Sequence, residues 1–103
     1  MKPVRMDEQE IEAWLSSVQP SGWQRKDVRW LEKKYRFPSF MEAVQFVVRI
    51  GEEAERRNHH PFIAIDYRMV TLQLTTWNAG GLSKLDFESA AAYDDLVTLA
   101  EEM

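Results

Sequence analysis

The sequence predicts an α+β fold in which three helices and four strands follow the order αββαββα. Three segments show apolar residues at helical spacing behind a capping residue, and short apolar runs lie between them in pairs. Helices separated by pairs of strands cannot form parallel βαβ units. We therefore expect a four-stranded antiparallel sheet with the helices packed on one face.

The first helix is predicted to begin at Asp7, which can cap it with Glu10 as the capping-box partner. The sequence Pro-Ser-Gly at 20–22 ends this helix. Residues 23–26 and 28–37 are predicted as the first pair of strands, and Pro38 ends the second of them. The apolar residues of the helix share one face: Ile11, Trp14, Leu15 and Val18.

The second helix is predicted to begin at Ser39, with Glu42 as its capping-box partner. It should end near Asn58, because the residue before Pro61 is pushed out of the α region. The charged residues at 52–57 are predicted to form a solvated face. The apolar stripe is predicted to consist of Met41, Val44, Val47, Val48 and Ala54.

The second pair of strands is predicted at 62–67 and 70–77, joined by a tight turn near Arg68 and Met69. A loop follows at 78–82. Ser83 is predicted to cap the last helix, with Asp86 as its third-position partner. The inner side of that helix is predicted to carry Leu85, Ala92, Leu96 and Leu99.

Length and composition limit the classes of protein to consider. A chain of 103 residues fits a single domain over 1–103. The net charge of −4 disfavours nonspecific nucleic-acid binding, and the lack of cysteine excludes disulfides and thiolate chemistry. No apolar run approaches membrane-spanning length, so we expect a cytoplasmic protein without membrane contact. The free face of the sheet and its edges are candidate oligomer contacts.

Both histidines of the chain, His59 and His60, are adjacent and directly precede Pro61. Histidine can give and take protons near neutrality, since its unperturbed pKa is about 6.5. Adjacent residues of an extended chain point to opposite sides, so the two rings should do different work. An ordinary polar loop is the alternative. A metal site is not predicted, because no third histidine or cysteine exists to complete a ligand set.

Three further positions have both a functional and a structural interpretation. Trp77 could stack on a planar ligand or simply pack at the end of a strand, where it shares a face with Thr75. Asp86 could be a catalytic acid, but its place after Ser83 favours a helix cap. The loop that begins at Asn78 could offer backbone N–H groups to a ligand or be a plain turn.

These residues together fit one spacing pattern. The positions are Glu55, His59, His60, Pro61, Tyr67, Trp77 and Asp86. In this pattern, and in flanking segments at 22–23, 35–40 and 79–83, the sequence resembles the pterin-4a-carbinolamine dehydratases. The resemblance covers nearly the whole chain and implies the same αββαββα fold.

The resemblance implies an enzyme that removes water from 4a-hydroxytetrahydropterin to give quinonoid dihydropterin, in the recycling of tetrahydropterin. It implies catalysis by His59 and His60, with Glu55 within reach to tune them. It also implies a homodimer or homotetramer, and neither a cofactor nor a metal. The pterin-binding residues would be the two histidines with Asn58, Thr75, Thr76, Trp77 and Asn78.

Two departures and two alternatives accompany the resemblance. Many members have a third histidine where this chain has Trp77, and an acidic residue is often found where it has Asn78. One alternative is a non-catalytic, protein-binding relative, similar to a Rubisco assembly factor of carboxysomes or to the mammalian form that supports dimerisation of a homeodomain transcription factor. The other alternative is a pterin-binding protein without turnover.

Overall fold

Helices cover one face of an antiparallel sheet in the computed structural model, which describes the backbone of residues 3–102 and the side chains of residues 3–97. The predicted order αββαββα is confirmed. The helices are α1 (Glu8–Val18), α2 (Phe40–Arg57) and α3 (Lys84–Glu102). The strands are β1 (Gln24–Lys26), β2 (Trp30–Arg36), β3 (Phe62–Asp66) and β4 (Met69–Leu74). Short 3₁₀ turns lie at Gln19–Ser21 and Trp77–Ala79.

The sheet has the strand order β1-β2-β4-β3, and each neighbouring pair is antiparallel. The two hairpins therefore meet through β2 and β4, where Leu31 lies opposite Leu74. Alternate residues of these central strands are buried against the helices, as expected for a sheet covered on one side. The buried strand residues are Leu31, Tyr35, Val70, Leu72 and Leu74. Among the described helices, none is long and apolar enough to cross a bilayer.

The predicted helix starts are confirmed by their hydrogen bonds. Asp7 accepts from the Glu10 N–H at 2.8 Å, and Glu10 accepts from the Asp7 N–H at 3.1 Å, which completes a capping box. Ser39 accepts from the Glu42 N–H at 3.2 Å, but the predicted return bond from the Ser39 N–H to the Glu42 carboxylate does not form among the described residues, so the α2 cap is only half of a capping box. These contacts depend on a few neighbouring residues, so the sequence was sufficient to locate them.

The predicted inner face of α2 was partly wrong. Met41 and Val48 are each 58% exposed, while Ala43, Phe46 and Ile50 are fully buried. Apolar residues occur on more than one side of this helix, so packing decides which side faces the sheet. Phe46 decides it here, because its ring contacts the rings of Tyr35 and Phe37 with centroids 4.8 and 4.9 Å away.

The predicted inner face of α3 needs the same correction. Leu85 is exposed and Ala92 is half-buried, whereas Phe87, Ala90 and Tyr93 are buried. Leu96 does pack against the core as predicted. Leu99 lies outside the residues whose side chains are described.

Both hairpin turns use residues with positive φ. The second turn lies at Tyr67 and Arg68, one position earlier than predicted, and Tyr67 has φ = 54°. In the first hairpin, Asp27 and Val28 have φ values of 50° and 64°. Val28 therefore belongs to the turn and not to the predicted strand.

A half-buried carboxylate, Asp94, joins α3 to the first hairpin. It accepts hydrogen bonds from Lys33 Nζ at 2.7 Å and from the Tyr35 hydroxyl at 2.8 Å. Trp23, which is fully buried, donates its indole N–H to Asp94, and the Ser21 hydroxyl donates at 2.6 Å. Burial and the charge of Asp94 raise the pKa of Tyr35, so the phenol stays protonated and remains a donor.

We expect Asp94→Ala to lower the free energy of unfolding by about 3 kcal/mol, because the Lys33 charge and the donors around it would lose their acceptor. This loss is at the low end of the range for breaking a buried ion pair, since the Asp94 side chain keeps 23% of its surface exposed. The adjacent, exposed Asp95 gives the matched control, and Asp95→Ala should change stability by no more than about 0.5 kcal/mol. Urea denaturation measures both, and equal effects would contradict the prediction.

Candidate active site

The C-terminus of α2 directs the chain into the candidate site. Asn58 adopts a left-handed conformation with φ = 52°, and its N–H bonds to the Glu55 carbonyl at 3.2 Å. The His59 N–H then bonds to the Ala54 carbonyl at 3.1 Å, which closes the helix in a Schellman arrangement. Asparagine tolerates this conformation better than most residues. The helix therefore ends where the sequence predicted, although Asn58 rather than Pro61 explains the ending.

A cavity of about 550 Å³ lies where this helix end meets the segment after β4. Seven of the residues predicted to bind substrate line it, and Glu55 lies outside the wall. The lining residues are Pro3, Arg57, Asn58, His59, His60, Thr75, Thr76, Trp77, Asn78 and Leu85.

His59 is the buried histidine of the pair, with 9% of its surface exposed. Its Nε2 lies 2.7 Å from Oδ1 of Asp86, which is completely buried. An ionised carboxylate can only accept, so Nε2 carries the hydrogen and the lone pair of the neutral ring is on Nδ1. Asp86 thus fixes the orientation and the tautomer of His59.

Asp86 is held by two further donors. Its Oδ2 accepts from the Thr76 hydroxyl at 2.8 Å and from the Ser83 N–H at 2.9 Å. The second contact is the predicted helix cap at the start of α3. Asp86 therefore has the predicted place in the cap of α3, and it also orients His59, a role that was not predicted from the sequence.

His60 has a different environment. Its ring is hydrogen-bonded through Nε2 to Glu55, and its side chain is 54% exposed. A second cleft, of about 260 Å³, lies against His60, Thr75 and Trp77, which also line the main cavity. The ring of His60 is therefore open to a ligand from the solvent side, whereas the ring of His59 is held by the buried Asp86 carboxylate.

The two threonines predicted to bind substrate use their hydroxyls for internal contacts. Thr75 donates to the Arg29 carbonyl at 2.6 Å, and Thr76 donates to Asp86. Their side chains are buried, so both shape the cavity wall, and Thr76 also supports Asp86. Among the described residues, no three His, Asp or Glu side chains converge as a metal-binding group would.

Trp77 presents a flat, open surface beside the cavity. It is 78% exposed, and it lies in the short 3₁₀ turn rather than on the predicted strand. The Trp30 ring meets it edge to face, with centroids 5.4 Å apart and planes at 83°. This contact leaves much of the indole open to solvent.

Arg57 also lines the cavity, and it was not among the site residues predicted from the sequence. It was assigned to a solvated face, but its side chain is only 30% exposed and lines the cavity. Its position directly before Asn58 was the available signal, since a residue in the last turn of α2 is carried to the same end as the histidines.

The family model described as pterin 4 alpha carbinolamine dehydratase matches residues 4–96. The chain belongs to this family. A relative from Picosynechococcus sp., named "Putative pterin-4-alpha-carbinolamine dehydratase", is 41% identical over 93 residues, which cover 90% of this chain and 98% of the relative. A relative of the same name from Roseiflexus sp. is 41% identical over 94 residues, covering 91% and 98%.

Two solved structures of dehydratase-like proteins are also similar. One, described as a transcriptional coactivator/pterin dehydratase from Brucella melitensis, has a TM-score of 0.83 and 28% identity over 89% of this chain and 97% of its own. The other is described as a pterin dehydratase-like protein that is a RuBisCO assembly factor in the α-carboxysome. It has a TM-score of 0.64 and 22% identity over 73% and 88% of the two chains, which shows a shared fold.

We expect Asp86→Asn to release the tautomer of His59, because an amide can present its N–H₂ to Nε2 where the carboxylate only accepts. The ¹⁵N chemical shifts of the imidazole nitrogens measure this change directly. Glu55→Gln is the matched control, and it should alter the His60 signals while leaving those of His59 in place. His59 signals that are the same in Asp86→Asn and wild type would contradict the assignment.

Proposed function

We propose that the protein dehydrates 4a-hydroxytetrahydropterin to quinonoid dihydropterin by histidine acid–base catalysis. The supporting observation is that His59 and His60 line one cavity while each is hydrogen-bonded to a carboxylate. The reaction requires a base for the N5 proton and an acid for the departing 4a-hydroxyl. Two imidazoles in different environments suit these two tasks.

His59 is the leading acid–base residue in this proposal. With the hydrogen on Nε2 held by Asp86, the lone pair on Nδ1 can take the N5 proton. The imidazolium that forms is stabilised by the Asp86 carboxylate, which needs no rearrangement to do so. His60 positions the substrate and, when it is protonated, can donate to the departing hydroxyl so that water leaves.

The rest of the wall would hold the flat ring. Trp77 offers an aromatic face to the pterin, and it cannot transfer a proton in the way a third histidine would. The two histidines therefore carry both proton transfers. Asn58 and Asn78 lie on the wall and can bond to polar edges of the ring.

We expect His59→Ala to lower the rate of dehydration by about 10²–10⁴-fold, the usual contribution of a general acid–base group. His60→Ala should cost less, because His60 is open to solvent and water can replace part of its role. The assay follows loss of the 4a-hydroxypterin above its spontaneous rate. Glu52→Gln, an exposed change on α2, is the control and should leave the rate unaltered. A wild-type protein that fails to accelerate the reaction overturns the proposal.

We expect a bound pterin to quench tryptophan fluorescence, because Trp77 lies beside the cavity. Trp77→Phe should remove most of this change, while Trp14 and Trp23, which line neither of the two clefts, serve as the internal reference. Titration with 7,8-dihydrobiopterin measures the effect. Quenching without faster dehydration would identify a pterin-binding protein without turnover.

The alternative role is a protein-binding module, since the two similar structures are described as a coactivator and as an assembly factor. The carboxylate that is hydrogen-bonded to each histidine favours the catalytic role, since a docking surface has no need of such contacts. An intact protein that leaves the spontaneous dehydration rate unchanged and binds no pterin would favour the protein-binding role.

A further inference from the structure

Two adjacent arginines at the end of α2 differ in their access to the cavity. Arg57 is 30% exposed and lines the cavity beside His59 and His60. Arg56 is 67% exposed and does not belong to the described lining. A helix places successive residues about 100° apart, so neighbours in sequence face different surroundings.

A shared carboxylate fixes both arginines. Glu53, whose side chain is 14% exposed, accepts from Arg57 Nε at 2.5 Å and also from Arg56. Burial acts to raise the pKa of Glu53, but the hydrogen bonds and charges of Arg57 and Arg56 outweigh it and lower this pKa below its ordinary value. Glu53 therefore stays ionised near neutrality and holds the Arg57 side chain in the wall.

The contact with Glu53 uses one of the five N–H donors of the Arg57 guanidinium. The terminal amino groups keep the others and form no further hydrogen bond among the described residues. The two cavity histidines already face carboxylates, and Glu53 carries one negative charge against two arginines. Arg57 is thus a fixed cation with unused donors in the wall of a polar cavity.

We propose that Arg57 binds an acceptor oxygen of the ligand through its terminal amino groups and anchors the ligand against the histidines. This inference rests on the proposed pterin function. A pterin offers two sources of such oxygen, the ring carbonyl at C4 and the hydroxyls of its C6 side chain. Arg57 is a substrate-binding residue in this role and takes no part in the proton transfers.

Arg57→Gln and Arg56→Gln form a matched pair, because each removes one guanidinium from Glu53 and only Arg57 lines the cavity. We expect Arg57→Gln to weaken binding of 7,8-dihydrobiopterin about 10–100-fold, as for loss of a charged hydrogen bond, and to raise KM more than it lowers kcat. Arg56→Gln should change both by less than about twofold. Arg57→Lys should recover part of the affinity, since lysine keeps the positive charge but lacks the planar guanidinium with its several N–H donors.

Two ligands distinguish the ring carbonyl from the side-chain hydroxyls as the acceptor oxygen that Arg57 binds. An equal penalty for 6-methyl-7,8-dihydropterin and 7,8-dihydrobiopterin supports the ring carbonyl, and a penalty for dihydrobiopterin alone supports the side chain. If wild type binds and dehydrates pterin, and Arg57→Gln binds it as tightly as Arg56→Gln, the inference is wrong and the proposed function stands. If wild type neither binds nor turns over pterin, the proposed function fails and this inference fails with it.

Discussion

The arrangement of the candidate site depends on the buried carboxylate of Asp86. It receives the Thr76 hydroxyl from the segment after β4, the Ser83 N–H from the start of α3, and His59 Nε2 from the end of α2. A buried, ionised carboxylate is costly unless it is fully hydrogen-bonded, so these three chain segments are held at fixed separation. The cavity lies where they meet. Asp86 therefore contributes both to the stability of the fold and to the orientation of the His59 ring.

The sequence located features that depend on short stretches of chain. The caps at Asp7 and Ser39, the hairpins and the end of α2 near Asn58 involve residues only a few positions apart. The inward faces of α2 and α3 could not be derived in this way. Both helices carry apolar residues on several sides, and the choice of Phe46 over Val48 is made by rings that lie on another element.

The site residues divide in the same manner. The adjacent histidines and their resemblance to a known spacing pattern marked the correct region of the chain. The pattern did not reveal which carboxylate faces which ring, because Asp86 is 27 positions from His59 and reaches it only through folding. Arg57 was assigned to solvent for a related reason, since a charged run on a helix carries no sign of which member meets a cavity.

The way the two hairpins join has a consequence for the order in which the protein assembles. Except for Pro3, the cavity wall comes from residues 57–85, while β1 and β2 come from the other hairpin. Each hairpin pairs locally, but the β2–β4 contact brings together residues as distant as Leu31 and Leu74. Such non-local pairing is slow because a long loop must close. During synthesis from the N-terminus, β2 therefore cannot pair with β4 until the second hairpin has been made. The cavity is complete only after the start of α3, which carries Asp86, has been synthesised.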